Sequence, residues 1–260
     1  MIRYERLNGV SIPGSASPVI QMTEEGKAIG HIPGWVLFTD PDYLIGDKGI
    51  RNRAKSNSVC VGTEVLVKSF FSSGASAITR SSDVSTNTMA KIPEQLPTTE
   101  FSWFGVYQAP LNTTSGVSFI RHIISTPEGG ISLNVVRRAA TSGIVVSARP
   151  TDTTFRAETR GGIFDLSDET PKLVMVTFSL EMGVKIFVNG RLEAENPTDT
   201  RPLNTGFLPN ETVMGVGGAF AGTALQGMTG LLSIDLSKPE YSGYRLLIEK
   251  FMKEKYAIAN

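Results

Sequence analysis

The stretch from Lys172 to Glu195, KLVMVTFSLEMGVKIFVNGRLEAE, leaves few folds open to this chain. Leu173 to Leu180 is apolar and rich in branched side chains. Glu181-Met182-Gly183 interrupts the run, and Val184 to Val188 resumes it. Asn189-Gly190 then gives the strongest short hairpin signal, because a tight two-residue turn needs positive φ at both central positions. The segment reads as three short antiparallel strands joined by two turns. Within its first strand, Val174, Val176, Phe178 and Leu180 share one face and are apolar. Leu173, Met175, Thr177 and Ser179 share the other, which becomes polar along the strand. The first face is expected in a core, and the second along a shallow, partly wet concave surface.

Strand-like runs of similar length fill the rest of the chain. Trp35 to Phe38 is a short apolar strand ended by the turn cluster Thr39-Asp40-Pro41-Asp42. Asp47 to Arg53 reads as a surface loop, and Val59 to Val67 contains a further strand. The strong β region runs through Phe101–Tyr107, Val117–Ile124, Ile131–Arg137, Gly143–Ala148 and Thr154–Glu158. Glu211–Gly217 and Gly230–Leu236 read as the last strands. This spacing predicts a sandwich or barrel. The end differs. Ser237-Lys238-Pro239-Glu240 reads as a capping box, and Tyr244, Leu247, Ile248, Phe251 and Met252 recur at helical spacing. Lys250, Lys253 and Lys255 suit a helix C-terminus.

The predicted class is therefore all-β: a jelly-roll β-sandwich of two antiparallel sheets with a C-terminal helix. Residues 1–30 are expected to be an N-terminal arm or edge segment, and 31–260 a single sandwich domain. Within it, residues 72–99 are poor in large apolar side chains and rich in Ser and Thr. They are expected to form a loop, or an extension that orders against a neighbouring subunit.

Composition narrows the function. The chain of 260 residues carries 25 Lys and Arg against 25 Asp and Glu, so no net field draws phosphate backbones and nucleic acid is not an expected partner. Neutrality leaves self-association unopposed. The single cysteine, Cys60, excludes an intrachain disulfide and a cysteine zinc site, and is expected to be buried. The first residues lack the apolar core of a signal peptide, and no run reaches the roughly 20 apolar residues of a membrane helix. Synthesis in the cytoplasm without export by signal peptide is expected, with no membrane partner.

The same residues resemble the concanavalin A-like lectin/glucanase superfamily in its laminin-G-like form. Phe101-Ser102-Trp103-Phe104-Gly105-Val106 resembles that family's opening strand. Lys172 to Phe178 resembles its W-H-L-V-A-V-T-F strand, with Pro171-Lys172 where Trp-His is usual. Gly183 to Gly190 is similar to its G-x-x-x-Y-V-D-G hairpin, and Gly230 to Ile234 to its closing strand. The helix ending Glu254-Lys255-Tyr256 resembles the tail of bacterial and phage members. The resemblance implies two curved antiparallel sheets. It fixes function loosely, since members bind glycans, bind proteins, cleave polysaccharide or build particles.

Catalytic chemistry finds little support. Glycoside hydrolysis needs paired carboxylates at about 5 Å or more. Glu193-Ala194-Glu195 is the nearest candidate, beside a turn where solvated charges are ordinary. No esterase elbow occurs, and Gly215-Val216-Gly217-Gly218 lacks the spacing of a dinucleotide loop. The two histidines, His31 and His122, sit in no metal-ligand spacing. Asp165, Asp168 and Glu169 cluster in a loop of the kind that holds calcium in lectin relatives; no other cofactor is expected. A sugar-binding face would place Trp103 and Tyr107 as an aromatic platform beside Arg121, Asn134 and Arg137. The leading expectation is a non-catalytic structural or adhesion protein, homo-oligomeric and part of a phage virion or similar assembly. The alternatives are a carbohydrate-binding module and a glycoside hydrolase with a non-standard acid pair.

Overall fold

A computed structural model describes residues 24–55, 57–62, 65–80, 90–108, 117–124, 130–137, 143–147, 156–163, 170–198, 210–217 and 225–259. Helix α1 (Glu24–Gly30) precedes β1 (Trp35–Thr39), β2 (Leu44–Ile45), β3 (Gly49–Arg51), β4 (Val59–Gly62) and β5 (Leu66–Phe70). Then come β6 (Ser76–Arg80), β7 (Ala90–Ile92), β8 (Glu100–Gln108), β9 (Val117–Ile124), β10 (Gly130–Arg137), β11 (Ile144–Ser147) and β12 (Arg156–Glu158). The chain continues through β13 (Lys172–Ser179), β14 (Gly183–Val188), β15 (Arg191–Asn196), β16 (Asn210–Gly217), β17 (Leu225–Leu232) and helix α2 (Ser242–Tyr256).

The strands form two antiparallel sheets. The eight-stranded sheet runs β15-β14-β13-β8-β17-β6-β5, with β1 also paired to β17. The nine-stranded sheet runs β12-β11-β10-β9-β16-β7-β4-β3-β2. Consecutive strands form local hairpins and meanders, while the pairs β13-β8, β8-β17, β17-β6, β9-β16 and β16-β7 join strands distant in sequence, as a jelly-roll requires. The meander read from residues 172–195 is β13-β14-β15, and its second turn has φ of 50° at Asn189 and 83° at Gly190.

The core between the sheets joins Trp103, Tyr107, Val174, Val176 and Phe178 of one sheet to Ile50, Cys60, Ile144 and Val146 of the other. Burying each such large side chain contributes roughly 1.5–3 kcal/mol. Cys60 lies within this core, and burial pushes its thiol pKa up to about 12, with Glu94 adding to the rise. The thiolate is the reactive form. Cys60 is therefore expected to resist iodoacetamide at pH 8 in the folded protein and to react once denatured. Rapid native labelling, followed by mass spectrometry, would contradict this placement.

Several expectations are revised. Leu173, Met175, Thr177 and Ser179 do not line a wet surface; all four are buried. A second apolar cluster covers them, built from α2 (Ile248, Met252, Tyr256) and from Ile29, Ile32, Phe104, Phe187 and Met228. Residues 24–30 of the expected arm or edge strand form a helix whose last turn accepts a 3.1 Å hydrogen bond from the Trp35 indole. The Ser/Thr-rich 72–99 segment supplies β6 to one sheet and β7 to the other. Its small side chains Ala77 and Ala90 are buried, so these parts belong to the sandwich instead of standing off it; residues 81–89 lie outside the described residues. Asp47 to Arg53, expected as a loop, contains β3, and Val59 to Val67 divides between β4 and β5 on different sheets. The last strand ends at Leu232 instead of Leu236.

The capping box does not form. Pro239–Tyr241 makes a short 3-10 turn, and Tyr241 caps α2 without a side-chain hydrogen bond. Lys238 instead pairs with Glu100 at 3.3 Å and Glu181 at 3.6 Å. The opposite end is held firmly: Lys255 reaches Asp40 at 3.2 Å, and Arg53 reaches the same carboxylate at 3.3 Å.

Midway along α2, Glu249 is buried against the β14–β15 turn and pairs with Arg245 at 2.8 Å. Desolvation raises its pKa above 4.5, opposed in part by Arg245 and Lys253. The folded state then holds a proton that the unfolded state has released, so this group costs stability as pH rises from 4.5 through the folded value. A Glu249→Gln variant is expected to lack that slope in urea titrations across pH 4–7. An identical slope in both proteins would assign the effect elsewhere.

Candidate functional site

The residues nominated from sequence do not assemble as one platform. Trp103 and Tyr107 share a face of β8, as expected, but both are 0% exposed and pack against each other at 5.7 Å between ring centroids. They fill the space between the sheets and offer no ring to a ligand. Their strand lies between β13 and β17, while Arg121, Asn134 and Arg137 belong to the other sheet. Asp165, Asp168 and Glu169 lie outside the described residues. Among the described residues no group of three or more His, Cys, Asp or Glu side chains is placed to hold a metal ion.

Glu193 and Glu195 are also drawn apart. The register of β15 slips between the Ile186–Ala194 and Phe187–Leu192 pairs, which makes Glu193 the extra residue of a bulge. Its side chain is held by Arg160 at 3.2 Å and lies 4.0 Å from Arg191. Glu195 is exposed, in register with Lys185. One carboxylate is thus bound to a guanidinium from the end of β12, and the strand alternation that would have aligned the two is broken.

Register does bring other residues together. Arg121 on β9 and Asn134 on β10 are direct cross-strand partners. The row extends without a break across the whole nine-stranded sheet. Asn134 pairs with Ser147, and Ser147 with Arg156. In the other direction Arg121 pairs with Val213, Val213 with Lys91, Lys91 with Val61, Val61 with Gly49, and Gly49 with Ile45. Arg137 is not part of it: it pairs with the buried Ile144.

The face to which this row belongs follows from its neighbour. One residue along each strand runs the row Gly62–Ala90–Met214–Ile120–Val135–Val146–Ala157. Ala90, Val146 and Ala157 are buried in the core between the sheets. Alternation puts the Arg121–Asn134 row on the opposite, outward face. Val61 and Ile45 agree, at 52% and 39% exposed, and Lys91 is exposed. The outward face of the other sheet is closed by α1 and α2. Among the described residues, no helix packs on the outward face of the nine-stranded sheet.

Comparison with known proteins adds a likeness of fold. No family model and no curated relative matches the chain. Among solved structures it is similar to Trypanosoma rangeli sialidase in complex with a difluoro-nononic acid, at 10% identity and a TM-score of 0.59, over 85% of this chain and 33% of that one. It is similar to the binding domain of botulinum neurotoxin serotype D, at 11% identity and a TM-score of 0.59, over 84% and 51% of the two chains. The binding domain of botulinum neurotoxin DC, in complex with SialylT, matches at 11% identity with a TM-score of 0.56, over 84% and 52%. The chain spans a third of the sialidase and about half of the toxin domains.

Proposed function

We propose that this protein is a non-catalytic carbohydrate-binding module whose recognition surface is the outward face of the nine-stranded sheet. One observation carries the reading. An unbroken cross-strand row places Lys91, Arg121, Asn134, Ser147 and Arg156 on the sandwich face that no described helix covers. Hydroxyls and amides at successive strand spacings suit the many hydroxyls of a sugar, which donate and accept at short intervals. Two fold neighbours support it by their ligands, since one holds a sugar acid and another a sialylated compound. The non-catalytic part of this reading is supported by Glu193, whose carboxylate is engaged with Arg160.

An adhesion role on a virion or other oligomeric particle is compatible with this module, since an adhesin is a glycan binder fixed to a larger body. The test is a glycan array probed with the full chain, followed by titration of the best binders. Retention of several related glycans, weakened by Arg121→Ala and unaffected by Glu195→Ala, is the expected result. Silence across the array, or release of reducing sugar from a bound polysaccharide, would overturn it.

A further inference from the structure

We infer that the ligand of this face is an elongated acidic glycan lying across the strands, its carboxylate or sulfate groups over Lys91, Arg121 and Arg156. This rests on the carbohydrate reading above and names the class of sugar. Every charged position of the row is cationic, although the chain as a whole is balanced at 25 and 25. From Lys91 on β7 to Arg156 on β12 there are five interstrand steps, about 24 Å at about 4.8 Å each. A monosaccharide does not span that distance, whereas an oligosaccharide does. Asn134 and Ser147 fall between Arg121 and Arg156, where neutral hydroxyls of the chain would lie.

The acidic positions on the same face give direction. Glu158 pairs with Val145, one outward row to one side, and Glu211 pairs with Ile123, one outward row to the other. Exposed Arg51, paired with Val59, lies on the Glu211 side as well, so that flank carries both charges and the row itself is the uniformly cationic track. Guanidinium groups bind planar carboxylates and sulfates through paired donors, so Arg121 and Arg156 suit such groups better than a neutral ring. The other described positions of the row, Val61 and Ile45, are aliphatic, and Val213 lies between Lys91 and Arg121. The row offers no ring on which a base or a sugar could stack, so charge and hydrogen bonds carry the binding.

The experiment titrates the full chain with oligosialic acid, hyaluronan oligosaccharides and heparan sulfate fragments, each beside its carboxyl-reduced or desulfated form. Single-stranded DNA of similar charge is a further arm. At least one acidic probe is expected to bind, with affinity falling as salt rises and at least roughly tenfold weaker after neutralisation of the probe. Arg121→Gln and Arg156→Gln are each expected to weaken it while far-UV circular dichroism is unchanged. Val61→Lys, at an exposed position already in the row, is expected to strengthen it, which needs no disruptive substitution. Equal binding of charged and neutralised probes overturns the inference and leaves the carbohydrate reading standing. Preference for single-stranded DNA over every glycan overturns the inference, and binding to no glycan at all removes both.

Discussion

Gly183→Ala is expected to be among the most damaging single-methyl changes in the chain, costing about 4 kcal/mol or more and leaving little soluble protein. Gly183 opens β14 at φ of +69°, a conformation that costs an L-residue roughly 1–2 kcal/mol. The added Cβ would also overlap the Asn196 carbonyl oxygen and lie 2.7 Å from Pro197 Cα. Both obstacles are backbone, from the strand that pairs with β14, so relief requires the β14–β15 pair to part. Two controls separate the contributions. Gly74 has φ of +81° with nothing near the new methyl, so Gly74→Ala isolates the dihedral cost. Gly190 has φ of +83°, and its new methyl would meet Glu249 Oε2 at 2.9 Å, the far end of a side chain that can turn away. Chemical denaturation of the three variants should rank Gly183→Ala far below the other two. A midpoint for Gly183→Ala equal to that of Gly74→Ala would refute the backbone clash.

That ranking bears on what was legible in the sequence. The turn at Glu181-Met182-Gly183, the turn at Asn189-Gly190 and the strand lengths are local properties. They are written in residues that tolerate positive φ and in runs of branched side chains. Arg121 and Asn134 were also within reach of sequence, because their strands follow one another and consecutive strands commonly pair. The position of Trp103 and Tyr107 was not. Alternation assigns both to one face of β8, but the partners of β8 are β13 and β17, and its shared face is decided by contacts between strands remote in sequence. The same holds for β6 and β7. Ser and Thr dominate their surroundings, and only the tertiary context shows that Ala77, Ile78, Ala90 and Ile92 fill gaps in a core that larger residues occupy elsewhere.

The face of β13 carrying Leu173 and Met175 illustrates the same limit from the other side. Its mixed polarity predicted partial wetting. Thr177 and Ser179 are nevertheless buried, and Ser179 donates a 2.7 Å hydrogen bond to the buried Asp235, whose carboxylate also accepts from the Ser237 N–H at 2.8 Å. The signal that could have corrected the expectation was present. An amphipathic helix with apolar residues at 244, 247, 248, 251 and 252 must cover an apolar surface, and one face of one sheet was the only partner available. Combining the two patterns would have closed that face and left the outward face of the other sheet for recognition.

Tyr256 is where that closure is tested. It ends α2 and is 0% exposed. Its ring meets Phe71 edge-on at 5.2 Å and lies so near Gly227 that a Cβ there would approach it to 2.7 Å. The Met228 N–H donates a 2.7 Å hydrogen bond to its phenol oxygen, and burial drives the phenol pKa upward. Tyr256→Ala empties this site and is expected to cost about 4 kcal/mol, the range for truncating a buried aromatic. Tyr256→Phe keeps the ring and leaves the buried Met228 N–H without its acceptor, for about 1–3 kcal/mol. Urea denaturation followed by tryptophan fluorescence gives both values. The alanine variant should also bind a hydrophobic dye, because loosening α2 uncovers Leu173, Met175 and Phe187. If α2 were an appendage, Tyr256→Ala would cost under about 1 kcal/mol and bind no dye. The phenylalanine variant should retain its glycan affinity, since the helix and the cationic row occupy opposite faces of the sandwich. A parallel loss of stability and binding in that variant would mean that the recognition surface lies under the helix.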